Sequence, residues 1–247
     1  MAIFTPEICK SSDGSDTLYV PEIDEHYHSV HGAVTESELV YLENGFRYVT
    51  GMDWSTGEAG EEACPGSGER FARPAVRVLE IGFGSGLNCL MTLLEAQKTG
   101  TRVSYHGVEA FPLSPELLLC LNYPALWGPE GREGFGAIHH APWGVPVQIS
   151  PLFELTKWPA DFTISELKEV DPCHVVYYDA FAPDKQPAMW EESLFRKIHD
   201  RLLPGGVVVT YCARGSVRRG WGAAGFRMER LPGPPGKREM LRGIRTG

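Results

Sequence analysis

A chain of 247 residues with 43% hydrophobic and 22% charged residues has enough apolar material for one large globular domain, or a domain with a small appendage. No apolar run reaches the about 18–20 residues that a membrane span needs, the N-terminus carries no basic-then-apolar signal segment, and the six cysteines (9, 64, 89, 120, 173, 212) form no C-x-x-C pair. The expectation is a reduced, soluble, cytoplasmic protein with no membrane partner, no disulfide framework and no zinc site; the net charge of −9 argues against nucleic acid in bulk.

Residues 1–50 read as an N-terminal β-hairpin extension. Thr17-Leu-Tyr-Val20, Leu39-Val-Tyr-Leu42 and Phe46-Arg-Tyr-Val49 are short β-type runs, with a turn at Glu43-Asn44-Gly45. His26, His28 and His31 invite a metal reading, but no neighbouring carboxylate or cysteine completes a ligand set, so surface or packing histidines are expected. Residues 51–74, rich in Gly, Glu, Ser and Pro, read as a loop or insertion ahead of a domain spanning 75–247.

That domain opens on Val76 to Ile81, an apolar β-branched run of the kind buried on both faces of a sheet, followed by Gly82-Phe83-Gly84-Ser85-Gly86 and a helical pattern from Leu87. Strand, glycine turn and helix form the first unit of a doubly wound α/β fold, whose ligand lies at the strand's C-terminal end. A dinucleotide fingerprint would need glycine at 87, where leucine stands. The spacing Glu80-x-Gly82-x-Gly84-x-Gly86 instead resembles the S-adenosylmethionine (SAM) loop of Rossmann-like methyltransferases; a tight turn without ligand and another kind of nucleotide site are the alternatives.

Val103 to Val108 is the second strand, and Glu109 at its end is placed to accept hydrogen bonds from ribose hydroxyls. A helix over about 115–122, an irregular stretch over 123–144, a third strand over 145–150 and a short helix at 165–170 follow. With Ser150-Pro151-Leu152-Phe153 after that third strand, adenine is expected to be held by apolar and main-chain contacts. The fourth strand, Cys173 to Tyr178, delivers Asp179 to the same edge, where a carboxylate either orients an amine nucleophile and takes its proton or caps the following turn. A helix over 188–203, a fifth strand over 207–212, a helix from Arg214 and two strands around the Pro232-Gly-Pro-Pro-Gly236 loop complete a Rossmann-like α/β pattern with a seven-stranded mixed sheet. From Ala213 to Gly247 nine basic residues stand against two acidic ones, an excess of +7 that is either a local phosphate-binding surface or a solvated face.

Several segments together resemble one family, the tRNA 5-methylaminomethyl-2-thiouridine methyltransferases, the methyltransferase half of the bifunctional MnmC enzymes. They are Tyr27-His-Ser-Val-His-Gly-Ala-Val-Thr-Glu36 with Val40-Tyr-Leu-Glu-Asn44, Glu80 to Asn88, Val108-Glu-Ala-Phe-Pro-Leu113, Tyr178-Asp-Ala-Phe-Ala-Pro-Asp-Lys-Gln-Pro187, Val217-Arg-Arg-Gly220 and Gly236-Lys-Arg-Glu-Met240. The resemblance implies a class I SAM-dependent methyltransferase fold and N-methylation of the aminomethyl group on the wobble uridine of tRNA, without metal or flavin. It implies that Glu80, Gly82, Phe83, Gly84, Gly86, Asn88, Glu109, Ala110 and Asp179 surround SAM, and that Asp179 meets the reacting amine. Phe181 and Pro183 would shape the slot beside the methyl group, and Arg218, Arg219, Lys237 and Arg238 would touch tRNA. No flavin-binding half follows residue 247, so an upstream tRNA-modifying enzyme is expected to supply the free amine. Ala180 and Gln186 stand where the family usually has Gly and Asn, and His26 and His28 where acidic or aromatic residues are expected. A small-molecule or protein amine as acceptor, and a non-catalytic adenosine-ligand module, are the competing readings.

Overall fold

The apolar run Val76–Ile81 forms β4, the central strand of a mixed sheet, in a computed structural model that describes residues 5–52, 54 and 75–247. Most of the expected 51–74 loop therefore lies outside the described residues. Strand order is β10-β11-β9-β8-β4-β5-β7-β6, with β5 (Val103–Glu109), β7 (Phe153–Pro159), β8 (Cys173–Tyr178) and β9 (Leu202–Thr210) parallel to their neighbours. At one edge β11 (Glu239–Arg245) and β10 (Phe226–Pro232) run antiparallel, and at the other β6 (Pro146–Ser150) does. The fold is the expected class I α/β one, with eight strands instead of seven.

The extra strand has a clear cause. The run at 145–150 looks like the third parallel strand, but it is an antiparallel edge strand hairpinned onto β7, which occupies the place beside β5. Pro146 is tolerated there because an edge strand needs no N–H on its open side. β7 is masked in the sequence by Glu154, Thr156 and Lys157. Lys157 is buried because its stem crosses the core while its ammonium lies 4.9 Å from the Trp143 ring centre and donates to the His139 carbonyl at 3.3 Å. Burial pushes that ammonium down to about 8. No helix forms at 165–170.

Two further expectations are corrected. Residues 39–42 and 46–49 are helical: α1 (Ala33–Ser37) continues through a π-helical stretch, Glu38–Arg47, into α2 (Tyr48–Thr50). A short apolar run suits a buried helix as well as a strand, and here Val40, Tyr41, Phe46 and Val49 point into the core against the sheet. Only β1 (Glu7–Lys10), β2 (Asp16–Val20) and β3 (Glu25–His26) make the small N-terminal antiparallel sheet. After α4 (Pro115–Leu119), the stretch 123–144 is helical as well, in α5 (Tyr123–Leu126) and α6 (Gly128–His140). Its glycines mislead because they serve packing: a Cβ at Gly134 would stand 3.0–3.1 Å from Leu93 and Leu90 of α3 (Leu87–Thr99), so glycine lets α6 lie close on α3.

One face of the sheet packs against α3, α6 and the N-terminal helical segment. The other packs against α7 (Glu192–Arg201) and α8 (Gly215–Ala223), where Phe195 and Trp221 stack with ring centres 4.1 Å apart. The registers Ile81↔Val108 and Ile81↔Tyr178 bring the C-terminal ends of β4, β5 and β8 level with one another. Whatever leaves those three strands meets in one place.

Candidate active site

That place is a cavity of about 300 Å³ over the C-terminal edge of the sheet. Its floor is the turn after β4. Gly82 has φ of 91°, and a Cβ there would run into the carbonyl oxygen of Asp179, so only glycine lets β4 and β8 leave the sheet side by side. At Gly84 (φ 49°) a Cβ would sit 2.9 Å from the Tyr27 ring. Phe83 folds back over Gly107, whose missing side chain makes room for the ring.

Glu109 ties the turn to the end of β5. One carboxylate oxygen accepts from the Gly84 N–H at 2.9 Å and the other from the Phe111 N–H at 2.9 Å. Desolvation raises its pKa, and the N–H groups of Phe111, Gly84 and Ala110 pull it back.

Asp179 leaves β8 into the same cavity with its side chain 5% exposed. Asn88 donates to its Oδ2 at 2.9 Å and to Glu80 Oε1 at 2.9 Å, and Tyr105 donates to Glu80 Oε2 at 2.8 Å. With carboxylates on both sides, the Asn88 amide nitrogen must face them, which leaves its oxygen buried without a partner. Burial raises the pKa of Asp179, with Glu36 adding to the rise and His28, Tyr41 and Asn88 opposing it; burial also holds Glu80 well above its usual value. The buried Tyr41 hydroxyl lies within electrostatic reach of Asp179 without a well-formed hydrogen bond.

Of the residues expected around the ligand, Gly82, Phe83, Gly84, Glu109, Ala110, Asp179 and Phe181 line this cavity. Glu80, Gly86 and Asn88 do not. Glu80 and Asn88 lie beneath it as the buried support of Asp179, and Gly86 caps the N-terminus of α3 against the His139 ring. Pro183, Arg218, Arg219, Lys237 and Arg238 also lie off the cavity. Lys237 is turned inward, paired with buried Glu36 and set 3.9 Å over the Tyr211 ring, while Arg219 and Arg238 are exposed. The basic tail is partly neutralised by its own fold: Glu229 takes Arg227 and Arg242, Glu239 takes Arg230, and Asp184 takes Arg214.

The geometry agrees with three comparisons. A family model described as S-adenosyl-L-methionine-dependent methyltransferase matches residues 153–246. The chain is 32% identical over 235 residues to the tRNA 5-methylaminomethyl-2-thiouridine biosynthesis bifunctional protein MnmC of Pseudomonas fluorescens, covering 89% of this chain and 32% of that protein. It is 31% identical over 245 residues to the MnmC of Magnetococcus marinus, covering 93% and 32%. The chain belongs to the MnmC-related S-adenosyl-L-methionine-dependent methyltransferases. It spans about a third of the length of those curated relatives. Among solved structures, MNMC2 from Aquifex aeolicus superposes with a TM-score of 0.73 at 22% identity, over 98% of this chain and 70% of that one. Spermidine synthase from Thermotoga maritima superposes with 0.56 at 13%, over 100% and 71%. These two likenesses speak for the fold.

The cavity suits the cofactor of this family. It has a glycine floor on which a ligand can lie against the main chain, a carboxylate at the end of β5, and Phe111 and Phe162 as apolar walls. Several residues in its lining have no site signature in the sequence, four of them polar groups or rings at the reaction end and its rim. Asp161 follows β7, the true third parallel strand, and would have been found had that strand been placed correctly. Tyr27 and His28 come from the segment after β3, beyond the reach of any strand-end rule, and Tyr211 follows β9. His28, expected at the surface or in packing, is 6% exposed and lines the cavity. Among the described residues no group of three His, Cys, Asp or Glu could hold a metal, and no helix is long and apolar enough to cross a membrane.

Proposed function

We propose that this chain methylates the aminomethyl group at C5 of a tRNA wobble uridine, converting 5-aminomethyl-2-thiouridine to 5-methylaminomethyl-2-thiouridine. The observation that carries the reading is the buried Asp179 carboxylate, which lines the cavity of a methyltransferase fold together with Tyr27 and Phe181, two rings meeting edge to face at 5.2 Å. The relatives' names supply the tRNA nucleoside.

Bound SAM supplies a methyl group on a sulfonium, already activated for transfer. What remains for the chain is alignment, worth ~7–11 kcal/mol in favourable cases, and the removal of one proton from an alkylammonium. Gly82 and Gly84 offer their main chain to the cofactor, and Glu109 its free lone pairs to ribose hydroxyls. Asp179 accepts the amine's hydrogens and so turns the nitrogen lone pair toward the methyl group. Its raised pKa makes it a stronger acceptor than a surface carboxylate. Tyr27, Phe181 and Tyr211 enclose that reaction end, with Tyr211 donating to the Ala180 carbonyl at 2.8 Å and Trp190 to the Phe181 carbonyl at 2.8 Å. Exposed Arg219 and Arg238 are the candidates for tRNA phosphate.

Asp161 stands where an acid can accept from an adenine amino group. One of its oxygens already holds the Thr163 N–H at 2.8 Å and the Thr163 hydroxyl at 2.7 Å, which fixes the loop around it. Asp161→Ala is expected to raise the Kd of SAM roughly tenfold or more, from loss of a hydrogen bond to a charged group worth ~1.5–3 kcal/mol. At saturating SAM, kcat should stay within about threefold; calorimetric binding and single-turnover rates separate the two.

Self-neutralisation of much of the basic tail favours keeping a small-molecule or protein amine as a second reading. The test is methyl transfer from labelled SAM to tRNA bearing 5-aminomethyl-2-thiouridine, followed by nucleoside mass spectrometry. Appearance of the methylaminomethyl nucleoside is expected. SAM binding with label entering only small amines or protein would overturn the tRNA assignment.

A further inference from the structure

Resting on the amine-methylation reading above, we propose that His28 and Asp179 act as a pair, with His28 a positioning partner that holds, on its Nδ1, the proton the substrate ammonium gives up. His28 Nδ1 is buried, has no hydrogen-bond partner, and faces Asp179 Oδ2 at 3.9 Å with both side chains 5% exposed. An unpaired buried ring nitrogen is costly, and this one is aimed at the one carboxylate that meets the reacting group. The gap fits two acceptors facing one another with no proton between them: an ionised Asp179 and a neutral imidazole protonated on Nε2. One added proton turns the repulsion into a charge-assisted hydrogen bond, and hydrogen bonds of this kind tighten in the reacting complex.

The backbone that carries this ring is fixed on both sides. The Thr17 hydroxyl donates to the His28 carbonyl at 3.0 Å and accepts from the His28 main-chain N–H at 3.1 Å, and Glu36 accepts from the main-chain N–H of Ser29 at 3.1 Å. Glu36 is in turn neutralised by Lys237. Lys237 thus acts from behind the wall, keeping a second anion from competing with Asp179 for the proton.

The proton balance is simple. A primary alkylammonium R–NH3⁺ loses one proton, the N–H electron pair staying on nitrogen, and the proton comes to rest between Oδ2 and Nδ1. The neutral amine then attacks the methyl carbon as the carbon–sulfur bond breaks toward sulfur. The product leaves as the secondary ammonium, and the pair returns its proton to water. Around Asp179 the other polar groups are Tyr41 and Glu36 from the N-terminal helical segment, Glu80 from β4, Asn88 from α3 and Tyr211 after β9; Tyr27, Glu109, His26 and Lys185 also line the cavity. Of the groups that act on Asp179, only the His28 imidazole can take up a proton as a cation. The raised pKa of Asp179 is what allows the shared proton to stay.

The experiment is steady-state and single-turnover methylation of tRNA bearing 5-aminomethyl-2-thiouridine over pH 6–9.5 by wild type, His28→Phe and His28→Asn, with SAM affinity and melting temperature measured for each. Phe keeps the ring volume; Asn keeps a hydrogen-bonding group near Nδ1 that cannot be protonated. Both are expected to lose about 10- to 100-fold in kcat at pH 7, at or below the lower end of the range for proton-transfer groups because Asp179 remains, with SAM affinity within about threefold. The acid limb of the pH profile should move upward, so that most of the loss is recovered near pH 9.5, where more of the amine is already neutral. Folded His28→Phe or His28→Asn with the wild-type rate and pH profile overturns the inference alone. Recovery by Asn but not Phe also overturns it, because a hydrogen bond would then suffice. A wild type that binds SAM but leaves this tRNA unmethylated overturns the functional reading, and this one with it.

Discussion

Asp179→Asn is expected to lower methyl transfer about 10³-fold while leaving the Kd of SAM within about threefold, the middle of the range for an acid–base group. Asn keeps the shape and still accepts from Asn88, so the support beneath the cavity survives. What it loses is the negative charge that draws the amine's hydrogens. The same variant is expected to be more stable than wild type at neutral pH. Burial raises the Asp179 pKa in the folded chain above its unfolded value. Between the two values the folded chain holds a proton that the unfolded chain has released, so stability falls as pH rises through that window, and the cost is fully present above it. Asn has no such cost. Its melting temperature should exceed that of wild type at pH 8, and the difference should shrink as pH falls below the raised pKa. Activity near wild type would remove Asp179 from the chemistry, and a lower melting temperature at pH 8 would remove it as a site of stored strain.

Gly82→Ala is expected to strike binding and fold together. The substitution meets two obstacles: a left-handed φ of 91°, worth about 1–2 kcal/mol against a residue with a Cβ, and the Asp179 carbonyl oxygen in the Cβ's path. Backbone cannot step aside as a side-chain tip can, so the ends of β4 and β8 must separate. SAM affinity should fall at least tenfold, and the melting temperature by roughly 2–4 °C per kcal/mol lost in a chain of this size. Gly100→Ala is the control. Gly100 caps α3 at φ 70° with nothing within 4 Å of its would-be Cβ, so that variant carries the backbone penalty without the collision. It should melt slightly lower and bind SAM as wild type does. Equal SAM binding by the two variants would mean that the close approach of β4 and β8 does not shape the cofactor floor.

Much of this site could be read along the chain, because its residues sit where apolar runs stop. Glycines 82 and 84, Glu109 and Asp179 each follow a strand buried on both faces, and a parallel sheet brings such ends to one edge whatever else the fold does. Local chemistry therefore determined the α/β class, the glycine floor of the cavity and the carboxylate proposed to meet the amine. Over the π-helical stretch 38–47 and helix α6, the propensities of β-branched, aromatic and glycine residues point away from helix, while contacts with the sheet and with α3 decide their state. Tertiary structure alone placed β7 beside β5 and with it Asp161. It alone laid the N-terminal segment across the sheet edge, bringing Tyr27 and His28 to Asp179 from some 150 positions away in the chain. It also turned Lys237 inward to buried Glu36, since a buried carboxylate demands a partner more strongly than a surface lysine demands water. Spacing along a sequence carries the periodicity of strands and helices; it does not carry the long-range pairing of one buried charge with another.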